Sequence, residues 1–228
     1  MTAQRSTRLR REAWGFAIGS FFFLVGAVPA YQEAVGDVAA NLTFFVGALF
    51  FTAAGFIQLA LSGRRPPRRG SNRPDRYDWW AAAVQFAGTL FFNVSTTEAL
   101  IVAANSSARV GNGWRPDAFG SICFLVSSAL AVAATVDRER LWDPSARTWH
   151  GTGLNLVGSV LFGLSAIGAY TIPSTGDLVS LLWANLGTFL GAACFLVAAV
   201  LSRRPVHSPL RREGREHPHA PSGVGGAE

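Results

Sequence analysis

Charge is almost absent from six stretches of the chain and dense between them. The stretches run from Trp14 to Tyr31, Val38 to Leu61, Trp79 to Ala104, Phe119 to Val136, Leu154 to Ile172 and Leu178 to Leu201. Each reaches or exceeds the ~18 apolar residues that mark a spanning helix. They are apolar on all faces rather than along one stripe, which a soluble surface helix is not. A shorter pattern recurs inside them: Gly, then Ser, Ala or Thr, then two residues of any kind, then Phe. It occurs once per stretch, at Gly19–Phe23, Gly47–Phe51, Gly88–Phe92, Gly120–Phe124, Gly158–Phe162 and Gly191–Phe195. With 24 Gly and 17 Phe in the chain, composition alone accounts for about one match, so the six copies mark an internal repeat.

Seven residues after each of these glycines stands another small residue: Gly26, Ala54, Ser95, Ser127, Ser165 and Ala198. Helical positions 0, +4 and +7 share one stripe. Each stretch therefore reads as a helix with a small-residue groove and a Phe knob, as suits close packing in lipid. A longer likeness joins alternate helices. Ala40–Ala48 aligns with Ala184–Ala192, bringing Asn41 onto Asn185, and Trp79, Gln85, Gly88 and Phe92 align with Trp149, Asn155, Gly158 and Phe162. The pattern predicts an all-α polytopic membrane protein of six transmembrane helices in three tandem hairpins. The hairpins run over 13–62, 77–136 and 147–202. A basic tail (1–12), an Arg/Pro-rich linker (63–76), a loop (137–146) and a disordered tail (203–228) complete the chain.

The basic residues orient this bundle. All 20 are Arg, the bias of a GC-rich, bacterial genome. Only Arg109 and Arg115 fall in the alternate loops; the others lie on one side, which the positive-inside rule makes cytoplasmic, with both termini. Trp14, Trp79, Trp80 and Trp149 would then stand at the inner interface, and Tyr31 and Tyr170 near the outer one. The address is the inner (plasma) membrane. The net charge of +6 is explained by this topology and by anionic lipid, not by nucleic acid. The first stretch has the outline of a signal peptide, but it carries the repeat and is expected to remain as a helix.

Paired short helices with Gly-Ser/Ala-x-x-Phe, and a line such as Asn41-Leu-Thr-Phe-Phe-Val-Gly-Ala-Leu-Phe-Phe-Thr-Ala-Ala-Gly-Phe-Ile-Gln-Leu, resemble the bacterial YrhK-type membrane domain. The resemblance is best in helices one, two, five and six. It implies a fold and a membrane address and supplies no catalytic residues.

Chemistry is sparse. No phosphate loop, His-Glu-x-x-His, zinc-spaced Cys pair or Ser/His/acid set is present, so neither an enzyme, a cofactor nor a metal site is expected. Within the spans the ligand or ion candidates are Glu98 and, deeper, Asn93. Glu98 at the interface would otherwise simply reach water or pair with Arg109. Asn41, Gln85, Asn155 and Asn185 are expected to form interhelical hydrogen bonds between equivalent hairpins; the alternative is a polar lining for a translocation path. Partners are the bilayer and, if the small-residue faces also serve between chains, a second copy or a membrane partner protein. The reading that results is a non-catalytic scaffold, accessory or stress-related membrane component. The alternative is a small transporter or channel built from hairpins.

Overall fold

The computed structural model describes residues 3–63, 65–68, 70–105, 114–138 and 147–202. Within them six helices follow one another: α1 (Ala3–Gly26), α2 (Pro29–Ser62), α3 (Arg73–Ala104), α4 (Pro116–Arg138), α5 (Arg147–Gly168) and α6 (Leu181–Ser202). Five of them, α2 to α6, are long and apolar enough to cross a membrane. The shorter apolar part of α1 follows a basic first half. The expected tail at 203–228 and Arg109 lie outside the described residues.

Helix ends depart from the apolar stretches for local reasons. The basic segment before Trp14 is helical, as its Ala, Gln, Arg and Leu content favours. Helix α1 stops at Gly26, where Gln32 Nε2 donates to the freed Gly26 carbonyl at 2.7 Å, so Tyr31 belongs to the next element. Pro29 opens α2, where its missing N–H costs nothing. Helix α3 starts inside the linker, at Arg73, because Asn72 caps it by accepting from the Asp75 N–H at 2.9 Å. Between α5 and α6 the chain turns through a small hairpin-like loop with a Thr171–Leu178 bridge, which removes Ile172 and Leu178 from the helices.

Helix α2 is broken at Gly36, whose φ of 79° and ψ of 167° lie in a region open essentially to glycine alone. The break redirects the chain from a short segment, Pro29–Val35, into the long apolar helix. Across it the Tyr31 hydroxyl bonds Thr43 Oγ1 at 2.7 Å. Gly36→Ala should lower stability by roughly 1–2 kcal/mol although the site is exposed, readable as a lower thermal midpoint in detergent.

Each helix packs on its neighbours in sequence, and α6 closes against α1, so the six form a ring. The glycines of the repeated pattern make the tight crossings. A Cβ on Gly19 would lie 3.0 Å from the Gly47 carbonyl oxygen, one on Gly120 3.1 Å from that of Gly88, and one on Gly158 3.0 Å from that of Gly191. Hydroxyls pin the same seams. Ser127 Oγ donates to the Ala81 carbonyl at 2.7 Å, and Ser165 Oγ to that of Ala184 at 2.6 Å. Large apolar side chains such as Phe56, Ile122 and Leu182 point outward and are mostly exposed; a surface this apolar suits lipid.

Candidate functional site

The phenylalanines that close the six patterns converge on the axis of the ring. Phe23, Phe92 and Phe162, from α1, α3 and α5, form a triangle with ring centroids 5.7–6.1 Å apart. Phe51, Phe124 and Phe195, from α2, α4 and α6, form a second triangle at 5.7–6.4 Å. Within each helix pair the two triangles touch: Phe23–Phe51 at 5.3 Å, Phe92–Phe124 at 5.1 Å and Phe162–Phe195 at 5.2 Å. All six are buried. Odd and even helices run in opposite directions, so a Phe four residues past the glycine is carried to opposite sides of the crossing. That alone makes two layers from one pattern.

A cavity lies on each side of this plug. The far one, away from the start of α1, has a volume of about 210 Å³ and touches Phe23, Phe92 and Phe162 as its floor. Its polar wall includes Asn41, Asn185, Thr188, Arg115 and Asp117. The near one, at the start of α1 and the end of α6, has a volume of about 360 Å³ and reaches Phe195. Its polar wall includes Glu12, Gln58, Gln85 and Asn155. Both are lined from all three helix pairs.

Electrostatics single out Glu12. It precedes the apolar stretch that begins at Trp14, and among the described residues no cation pairs with it. Burial without a partner pushes its carboxyl from the usual 4.5 up to about 7. Beside it in the cavity wall, Gln58 presents a buried Oε1 with no hydrogen-bond partner.

The residues expected from sequence separate into groups. Asn41 and Asn185 come to the far cavity, Gln85 and Asn155 to the near one. The hydrogen bonds expected between equivalent hairpins do not form. Asn41 Nδ2 donates to the Asp37 carbonyl of its own helix at 2.8 Å. Gln85 Oε1 accepts from Ser127 across the α3–α4 seam of its own pair at 3.1 Å. The side chains of Asn155 and Asn185 make no hydrogen bond among the described residues. The amides face the cavities, where water can solvate them, so the cost that would enforce pairing in hydrocarbon is absent.

Glu98 and Asn93 are not brought together. Glu98 is exposed, and neither residue lines either cavity. Asn93 ties α3 to α2: its Nδ2 donates to Thr52 Oγ1 and to the Thr89 carbonyl, the latter at 3.1 Å. The sequence reading missed Glu12, Gln58, Arg115 and Asp117. A signal for two of them was present. Counting back from the patterned glycine along the same stripe, position −3 is Phe16, Gln85 and Asn155 on the odd helices and Phe44, Asp117 and Thr188 on the even ones. Position −7 on the first helix is Glu12.

Among the described residues no three His, Cys, Asp or Glu side chains come close enough to hold a metal ion. Cys123 and Cys194 are free thiols packed beside Gly88 and Gly158. No family model, curated protein or solved structure matches the chain.

Proposed function

We propose that this is a six-span protein of the plasma membrane, with both termini cytoplasmic, that provides a gated path for a small solute along the axis of its helix ring. The three tandem hairpins then form one compact unit, α1 being the sixth span. The near cavity opens to the cytoplasm and the far one to the outside. One observation carries the reading: two cavities on one axis, each with polar side chains in its wall, separated by six phenylalanines, one from each helix. A closed ring has no need of polar walls at both ends of its axis, since an apolar filling packs as well. An aromatic plug between two such chambers is a barrier to ions and polar solutes until its rings separate.

The second reading, a non-catalytic scaffold or accessory protein of YrhK type, is favoured by the density of the plug itself. With all six rings buried, the axis is shut as it stands. Flux separates the two. In liposomes loaded with potassium salt, the wild-type chain should hold the gradient at rest. The Phe92→Ala, Phe124→Ala pair, which removes one ring from each layer, should dissipate it at least tenfold faster. Equal, slow leakage from both, with the variant folded by circular dichroism, would leave the scaffold.

A further inference from the structure

We propose that the near cavity is a binding site for a small organic ammonium ion, held by the Glu12 carboxylate and Gln58 Oε1, with Phe16 as its aromatic wall. This deepens the pathway reading by giving the path a ligand class, but the site itself is argued from the cavity alone.

The argument begins with unmet demand. Two acceptors in the wall, the Glu12 carboxylate and Gln58 Oε1, find no partner among the described residues. Among the described residues Glu12 is the one ionisable residue that lines the cavity. Gln58 Oε1 is buried without a partner on the adjoining helix. Leaving a buried acceptor unpaired is costly, and leaving a carboxylate so is more costly still. A ligand that brings several N–H donors and one positive charge satisfies both at once, and Asn155 lies in the same wall.

Charge and shape narrow the class. An anion would meet Glu12, and among the described residues no cation lines the cavity to offset it. Calcium takes six to eight oxygens, commonly with several carboxylates among them, whereas among the described residues Glu12 is the one carboxylate that lines this cavity. Beside these polar groups the wall has an apolar part, with Phe16, Ala13, Leu9, Ala198 and Leu201, which an alkyl chain can cover and a hydrated inorganic ion cannot. Phe16 adds the attraction of an aromatic face for an ammonium group. A cavity of about 360 Å³ falls at the lower end of the range for small-molecule sites.

The test is binding in detergent, with ethylammonium, butylammonium and potassium chlorides at equal ionic strength, pH 8, read as the thermal midpoint of the full chain. At a hundred times its dissociation constant, butylammonium should raise the wild-type midpoint by about 5–10 °C, ethylammonium should need higher concentrations, and potassium should give no shift. Glu12→Gln should abolish the shift, Gln58→Leu should weaken binding several-fold, and Glu98→Gln should keep it. A shift that survives Glu12→Gln, or one that potassium reproduces, overturns the assignment. Should Glu12→Gln fold poorly, Glu12→Asp should still bind, more weakly; loss of binding there with Gln58→Leu unaffected also overturns it. Binding without flux in the liposome assay would keep the site and remove the path; flux without binding would do the reverse.

Discussion

Phe124→Ala should lower the unfolding free energy by about 2–4 kcal/mol, while Phe21→Ala should change it by less than about 0.5 kcal/mol. Both are phenylalanines on apolar helices, so residue type does not distinguish them. Position does. Phe124 is 2% exposed and Phe21 54% exposed. Phe124 meets Phe51, Phe92, Phe162 and Phe195 at centroid distances of 5.1–6.4 Å. In water a buried Phe→Ala costs about 3–5 kcal/mol, part from transfer and part from the cavity left behind. In lipid the transfer part shrinks, because the unfolded helix still rests in hydrocarbon. The cavity part survives: a void on the order of 100 Å³ at ~24 cal/mol per Å³ gives roughly 2.4 kcal/mol. Lost edge-to-face attraction is part of the same packing loss, so it moves the cost within the expected range and is not added to it contact by contact. Unfolding in mixed micelles measures both variants. Equal losses would show that the six-ring cluster is not the core. A Phe92/Phe124 double-mutant cycle should give a coupling of about 0.5–1.5 kcal/mol, since these rings stand 5.1 Å apart.

What the sequence made legible was periodic, and what it hid was not. Gly and Phe four residues apart, six times over, were enough to place a groove and a knob on every helix, and the crossings at Gly19/Gly47, Gly88/Gly120 and Gly158/Gly191 follow that pattern. The meeting of the six rings on one axis did not follow from any single helix. It depends on ring closure between α1 and α6, a contact between the two ends of the bundle that local spacing cannot encode. Glu98 drew attention because charge is rare in an apolar stretch, yet it lies two turns from the end of α3 and reaches the surface. Glu12 did not, because it sits among arginines and reads as part of a solvated tail. Helix α1 continues through that tail and carries the residue onto the stripe that faces the axis. Asn41, Asn185, Gln85 and Asn155 were found at matching positions, and what was misjudged was their surroundings. Polar side chains in a presumed dry bundle must pair, whereas those that open on a cavity need not.

Wild-type stability should fall between pH 4.5 and pH 7 by an amount that Glu12→Gln removes. In the unfolded chain this carboxyl titrates near 4.5 and in the fold at about 7. Below 4.5 both states hold the proton, and the Glu12 contribution is fully present. Between the two values the fold keeps the proton that the unfolded chain releases, so each rise of one pH unit costs up to ~1.4 kcal/mol. Above 7 both states are ionised and the loss is complete. The full interval corresponds to roughly 3 kcal/mol, and partial solvent contact reduces the expectation to about 2–3 kcal/mol. Glutamine has the same shape and no charge to bury, so Glu12→Gln should match wild type at pH 4 and exceed it by that amount at pH 8. Subtracting the two curves cancels the other carboxylates, which titrate identically in both proteins. Parallel curves would mean that Glu12 is solvated in the fold, and the near cavity would then lose its one ionic anchor. A difference that grows through this window and collapses when an alkylammonium is added would tie the cost of the buried carboxylate to the ligand that offsets it.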